Sequence, residues 1–136
     1  MANTFTAPFA QTTQTGDAVA TAASVITTSS PTNSILIATA GANGALLTGL
    51  SAVPRATVTA MGLYVFVSND SGSTKMLLES VLMAAHTVAT TTAIPKTEFS
   101  FSETTPVRLA AGDEVYVSAG VSLASGVVFT AQWSDF

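Results

Sequence analysis

The sequence predicts an all-β protein, a single-domain antiparallel β-sandwich of about eight short strands. Clusters of Gly, Pro, Asn, Asp and Ser interrupt short β-branched and aromatic segments along the whole chain. The last such segment, Val127–Trp133, alternates apolar and polar residues, as a strand with one buried face does. The chain has 136 residues, enough for one hydrophobic core and too few for two comfortable ones.

Two glycine-containing turns are the strongest local signals. Gly112 and Asp113 lie between strand-like segments, and glycine adopts positive φ without the penalty of a Cβ atom. We therefore expect a hairpin there, and a β-branched residue at Gly112 should be among the most damaging single changes. Asn43 and Gly44 form a second such turn in Gly41-Ala42-Asn43-Gly44, where we expect both residues to supply left-handed conformations.

The remaining predicted strands are Ala18–Thr28, Ser34–Ala40, Ala45–Leu50, Arg55–Ser68 and Lys96–Glu103. The alanines of the first segment would also suit a helix, but the β-branched residues 25–28 favour a strand. Ser51–Pro54 should close the segment that contains the third strand. The apolar positions change parity near Met61-Gly62 in the fourth strand, which predicts a bulge at that point.

Residues 73–83 are ambiguous between helix and strand. Lys, Met, Leu and Glu all favour helices, and the segment is long enough for about three turns. As a strand it pairs with the preceding one across the turn Asn69–Gly72, and this interpretation is favoured.

Residues 1–17 are polar and rich in Thr and Gln, with Phe5 and Phe9 as bulky apolar exceptions. They predict an extended N-terminal arm in which the two phenylalanines contact a partner; the alternative is a disordered terminus. The sandwich domain is then expected over residues 18–136.

The charge content limits the kinds of partner. Only 9% of residues are charged, against about 25% in an average soluble domain. This is typical of surfaces that are covered in an assembly, although a β-domain with Thr-rich exposed strands has a similar composition. The net charge of −4 and the scattered four cations argue against nucleic acid as a partner. The sequence shows neither a signal peptide nor an apolar span of membrane length, so we expect no membrane association.

Searches for catalytic and binding chemistry identify no catalytic, cofactor-binding or metal-ligating residues. The chain has no cysteine and one histidine, His86, which stands without a His or Cys partner. Asp113 and Glu114 are adjacent acids, which in a strand point to opposite faces and cannot face each other as catalytic carboxylates. We therefore expect no enzymatic activity and no cofactor. Four aromatic residues can stack on sugars or, more commonly, pack in a core or interface: Tyr64, Phe66, Tyr116 and Trp133.

The segment Leu109-x-x-Gly112-Asp113-x-Val115-Tyr116-Val117 resembles the penultimate turn of trimeric jelly-roll modules. Together with TAGANGALLTGLSAVPRATVTAMGLYVFVS and the closing VVFTAQWSDF, it is similar to small accessory virion proteins of tailed phages and prophages. The resemblance covers roughly residues 34–136. It implies a jelly-roll-like sandwich, a homotrimer and no active site.

Two functions follow as expectations. The first is capsid decoration: a cement protein made in the host cytoplasm that binds the capsid surface of the virion, through its arm and one end of the sandwich. Its partners are copies of itself and the major capsid protein or other virion proteins. The second is a carbohydrate- or receptor-binding module of a tail fibre or adhesin, acting through Tyr64, Tyr116 or Trp133.

Overall fold

The computed structural model describes residues 12–136, and within them every regular element is a β-strand. In chain order the strands are β1 (Thr12–Ala20), β2 (Ile35–Thr39), β3 (Ala45–Pro54), β4 (Met61–Ser68), β5 (Met76–Met83), β6 (Thr97–Glu98), β7 (Val107–Leu109), β8 (Glu114–Ala119) and β9 (Val127–Asp135). They form one five-stranded and one four-stranded sheet. The predicted all-β sandwich is therefore confirmed.

The strand order is that of a jelly roll. The five-stranded sheet runs β1-β9-β3-β6, with β7 also paired to β3, and the four-stranded sheet runs β2-β8-β4-β5. Every pair of neighbouring strands is antiparallel. Because β6 and β7 pair with the two halves of β3, they act as one interrupted strand. The sandwich thus has eight strand positions, as two interleaved Greek keys require.

The core lies between the two sheets and is built from alternate residues of their inner faces. From β9 the buried residues are Val127, Phe129, Ala131 and Trp133, as the alternation of the sequence predicts. The opposite sheet contributes fully buried Leu63, Val65, Val115 and Val117. Phe66 is also fully buried but lies outside this cluster.

Both predicted hairpins are wrong as strand pairings, although the two turns exist. The turn at Gly41–Gly44 connects β2 to β3, and the turn at Gly112 connects β7 to β8, yet each pair of strands belongs to different sheets. A tight turn reverses the chain direction but does not decide whether the next strand pairs with the last one. In a sandwich it can instead carry the chain across the roughly 10 Å between sheets.

The first strand lies earlier than the sequence predicts. β1 covers Thr12–Ala20, and all nine of its residues pair with β9 from Thr12↔Asp135 to Ala20↔Val127. Residues 12–17, predicted as part of the arm, therefore belong to the sheet. The β-branched residues 25–28 lie outside the strands, because the long ladder along β9 outweighs a local propensity.

Three other boundaries also differ from prediction. Ser51–Pro54 is the last part of β3, where it pairs with β9, and does not form a turn. The bulge lies where Val65 and Phe66 pair with β5 and not at Met61-Gly62. Within Lys96–Glu103 only Thr97 and Glu98 form a strand.

The ambiguous segment is a strand, as favoured. β5 pairs antiparallel with β4 from Met61↔Met83 to Val67↔Met76. It pairs on that side alone, so it forms one edge of the four-stranded sheet. The connecting turn is at the predicted place, and Ser71 (φ 60°) and Gly72 (φ 89°) supply its left-handed conformations.

The two faces of β9 should respond differently to truncation. Phe129 is fully buried, so Phe129→Ala should lower the free energy of unfolding by roughly 3–5 kcal/mol. Thr130 lies on the opposite face and is only partly buried, so Thr130→Ala should change it by less than about 0.5 kcal/mol. Urea unfolding of both variants measures the difference; equal losses would contradict the assigned inner face.

Candidate functional site

The predicted turn residues meet at one end of the sandwich. The amides of Gly44 and Gly112 both donate to the carbonyl of Gly41, at 3.1 and 3.3 Å, and Ala40 N–H donates to the carbonyl of Asp113 at 2.8 Å. Gly44 (φ 88°) and Gly112 (φ 76°) have the predicted left-handed conformation, whereas Asn43 does not. The two turns are thus joined through a shared acceptor.

The C-terminus closes the same end. The Asp135 carboxylate accepts a hydrogen bond of 2.9 Å from Gly41 N–H, and Phe136 N–H donates to the Gly44 carbonyl at 3.1 Å. Asp135 also pairs with Thr12, the first described residue. We call this surface the turn end: residues 41–44, residues 110–113 and Phe136. The chain enters the sandwich beside it.

The turn end has little free charge. Its exposed residues are Ala42, Asn43, Ala110, Ala111 and Gly112. The Asp113 carboxylate accepts a hydrogen bond of 2.9 Å from the backbone of Ala110. The Arg108 guanidinium lies 4.9 Å from the centre of the Phe136 ring, a cation–π distance. Small uncharged groups therefore form most of the contact surface at this end.

A second surface is the edge strand β5. Four large apolar side chains on it are exposed: Met76 (65%), Leu77 (47%), Leu78 (40%) and Leu82 (70%). We call these four residues the β5 edge. The sequence analysis does not predict this edge. Its one signal is the run Met76-Leu77-Leu78, which departs from the apolar–polar alternation of a strand with one solvent-exposed face.

The turn before β5 holds this edge in place. The Ser68 hydroxyl donates to the Asp70 carboxylate at 2.8 Å, and Thr74 N–H donates to the same oxygen at 2.8 Å. These hydrogen bonds, the backbone bond from Thr74 first, hold the pKa of Asp70 below its usual value. Gly72 N–H in turn donates to Ser68 at 2.8 Å. The start of β5 is therefore fixed to the end of β4.

A third surface is a shallow groove on the outer face of the five-stranded sheet, about 480 Å³ in volume and formed mostly by residues with uncharged polar side chains. Its lining residues are Thr13, Gln14, Thr15, Leu46, Thr48, Glu103, Gln132 and Ser134. Side chains with donors and acceptors but mostly without charge are suited to a neutral polar ligand. We call this surface the outer groove.

The aromatic residues do not form one open platform. Tyr64, Phe66 and Tyr116 lie on the outer face of the four-stranded sheet, with Phe66 directly opposite Tyr116, whereas Trp133 points into the core. Lys75 lies 4.3 Å from the centre of the Tyr116 ring. Burial, and then the hydrogen bond to Glu114, raise the pKa of the Tyr116 phenol. Of the residues predicted to stack on sugars, Tyr116 is therefore already in contact with Lys75, and Trp133 lies in the core.

The residues considered for catalysis have structural contacts. The backbone of His86 pairs with that of Val58 through hydrogen bonds of 2.9 and 3.0 Å. Asp113 caps Ala110, and Glu114 accepts a hydrogen bond of 3.0 Å from the Tyr116 hydroxyl. Over residues 12–136 no cluster of three potential metal ligands occurs. Phe5 and Phe9, the predicted partner contacts, lie outside the described residues.

Comparison of the chain with protein-family models, with curated proteins and with solved structures finds no match. Among residues 12–136 there is no helix long and apolar enough to cross a membrane. Function therefore has to be inferred from the three surfaces themselves.

Substitution of the two glycines should distinguish backbone strain from steric conflict at the turn end. A Cβ atom at Gly112 meets nothing within 4 Å, whereas one at Gly44 would lie 2.6 Å from the Leu109 carbonyl oxygen. Gly112→Ala should therefore cost only the strain of positive φ, about 1–2 kcal/mol, and Gly44→Ala clearly more. Thermal unfolding measures both; a smaller loss at Gly44 would contradict this packing.

Proposed function

We propose that this chain is a structural subunit of a tailed-phage or prophage particle. In this role it is a decoration (cement) protein that stabilises the head lattice by non-covalent contacts. The observation that carries the proposal is the β5 edge, where four large apolar side chains are exposed on a strand that pairs on one side only among the described residues. Such edges are ready to pair with another chain, and soluble monomers normally protect them. In a protein that works within an assembly, an unprotected edge of this kind can form a contact with a neighbouring subunit.

The distribution of charge supports the same function. Each of the four cations already contacts a group of its own chain. Lys75 lies over Tyr116, Arg108 lies over Phe136, Lys96 pairs with Glu98 at 3.1 Å, and Arg55 donates to the Ser125 carbonyl at 2.7 Å. The surface therefore presents few free charges whose desolvation would oppose association.

The jelly-roll strand order is a further point in favour, since this architecture is common in viral capsid proteins and in lectins. Architecture alone does not assign a function, so the phage assignment also rests on the resemblance of residues 34–136. The same resemblance predicts a homotrimer on the outer surface of the head, with the major capsid protein as its partner.

The arm is the proposed site of attachment to the shell. Residue 12 pairs with Asp135 at the turn end, so residues 1–11 join the sandwich there. Phe5 and Phe9 are bulky apolar groups in an otherwise polar segment, and a segment of this kind gains order mainly against a partner. We assign these two side chains to contacts with the shell.

Replacing Phe5 and Phe9 together by alanine should weaken attachment while leaving the sandwich folded. The measurement is co-sedimentation with undecorated heads of the phage or prophage that encodes the chain, at several protein concentrations. The apparent affinity should fall at least tenfold, and the matched control Thr4→Ala/Thr6→Ala should bind like the wild type. Undiminished attachment of the double phenylalanine variant would contradict this role of the arm, and no attachment of the wild type would contradict decoration itself.

A second candidate function is carbohydrate binding by a tail-fibre or adhesin module, and the outer groove is the observation that favours it. Three residues, Thr48, Glu103 and Gln132, line both this groove and an adjoining cavity of about 390 Å³. The adjoining cavity adds Phe101 as a partly buried aromatic ring. Hydroxyl and amide groups beside an aromatic ring are typical of saccharide sites. The site is thus on the other sheet from Tyr64 and Tyr116.

A glycan array tests this alternative. Binding through the outer groove should fall at least tenfold in Gln132→Ala, because Gln132 is exposed and lines both the groove and the adjoining cavity. Asn43→Ala removes an exposed amide at the turn end and should leave binding unchanged. No bound glycan with the wild-type protein, or equal loss in both variants, would count against a saccharide site here.

A further inference from the structure

The β5 edge is the most concentrated apolar feature on the surface. Eight large apolar side chains are exposed among the described residues, and four of them belong to this one strand. β5 contains no Pro or Lys, the residues that most often block pairing at an edge. Its single charged residue is Glu79.

The carboxylate of Glu79 is directed away from the exposed side chains. It accepts hydrogen bonds from Ser100 N–H at 3.2 Å and from the Ser100 hydroxyl at 2.7 Å. Ser100 follows β6 of the opposite sheet. The hydrogen bonds of the Glu79 side chain therefore link the two sheets. The outward face of β5 therefore presents Leu78, Ser80 and Leu82 without a charge among them.

We propose that β5 pairs antiparallel with β5 of a second copy of this chain, about a two-fold axis that passes beside Ser80. This inference rests on the self-association in the proposed function. The homotrimer is supported by the resemblance alone. The two-fold pair proposed here takes its place, with an isologous contact in which both copies use the same surface. The two four-stranded sheets then become one continuous eight-stranded sheet across the pair.

The side chains select this register. With Ser80 opposite Ser80, Leu78 of each copy faces Leu82 of the other, and Glu79 faces Val81. If the two-fold axis passes beside Glu79 instead of Ser80, the two Glu79 side chains lie directly opposite each other. Like charges in this position destabilise a cross-strand pair. If the axis passes beside Val81 instead, Leu82 faces Ser80 and Leu78 faces only the small Ala84, which lies beyond the end of β5. Of these three registers, only the one centred on Ser80 places leucine opposite leucine and keeps the two Glu79 carboxylates apart.

The bulge of β5 limits the length of the new ladder. Val65 pairs with Glu79 and Phe66 with Leu77, so Leu78 is the extra residue. A bulge bends a strand and interrupts its pairing, so the regular part of the edge runs from Glu79 to Met83, and Leu78 lies at its bulged end. Five residues of each copy, 78–82, form the proposed contact.

Single cysteines test the register, because the wild-type chain contains none. Opposite residues of an antiparallel pair have Cα atoms about 4.5–5.5 Å apart, within the range that a disulfide bridges. Ser80→Cys should therefore give a disulfide-linked dimer under mild oxidation, reversible by a thiol reductant. In Leu82→Cys the two cysteines lie four residues apart along the ladder, about 13 Å, and should not cross-link. Leu78→Cys should behave like Leu82→Cys. Equal cross-linking at the three positions, or none at Ser80, would overturn the register.

Solution mass tests the pairing itself. Sedimentation velocity of the wild type at micromolar concentration should give twice the chain mass of 13.7 kDa. Leu82→Lys places a charge in the contact and should give the monomer mass, with an unchanged far-UV circular dichroism spectrum because Leu82 is 70% exposed. Val25→Lys, at a residue 55% exposed elsewhere, is the matched control and should stay dimeric.

A wild type with the monomer mass, or with three times the chain mass, would overturn the two-fold pairing. Attachment to undecorated heads is measured separately. A monomer that still co-sediments with heads would reject the pairing and leave decoration standing, whereas a dimer that does not attach would reject decoration and leave the pairing standing.

Discussion

The central strand β9 holds the sandwich together. All nine of its residues pair with β1 on one side, and it pairs along the length of β3 on the other, while Phe129 and Trp133 fill the core beneath. Because β1 is the first and β9 the last of the strands in residues 12–136, the five-stranded sheet cannot be complete until the two ends of this part of the chain meet. The same pairing brings Asp135 to the turn end, where it fixes Gly41. The geometry of the turn end therefore depends on the register of β9.

The four edges of the two sheets are protected to different degrees. β6 and β7 have two and three residues, too short to template another strand. β2 has five residues and a register shift between Leu36 and Ala38. β1 is long, but its first six residues are polar or glycine. Of the edge strands in residues 12–136, only β5 is both long and rich in large exposed apolar side chains. Since protection of edges against pairing is the general rule, its absence at one edge out of four indicates a contact surface there.

The limits of the sequence prediction follow from the range of the interactions. The alternation of Val127–Trp133 and the positive φ of Gly44 and Gly112 are local properties, and the structure confirms them. Contacts between residues far apart in the chain decide which sheet each strand joins. The hairpin prediction for the same two turns is therefore wrong, because each turn connects strands of different sheets. For the same reason the sequence predicts each turn of the candidate site but not their meeting at Gly41. The sequence does not predict the β5 edge, because the exposure of its side chains depends on the absence of a strand beside β5, which is a property of the whole sheet.

The two proposals combine into a mechanism for lattice stabilisation. β4 ends at Ser68, opposite Glu114 and beside the turn end, so β5 starts near that end and runs away from it. Antiparallel pairing about Ser80 therefore points the turn ends of the two copies in opposite directions. In such a pair the two turn ends would not rest on one shell surface, so attachment through one end of the sandwich, which stays a prediction, would use one turn end of each pair at a time. The two arms leave from opposite ends of the pair and can bind separate shell subunits. A bridge of this kind resists separation of the subunits that it joins, because each arm keeps the other at a high effective concentration near its site.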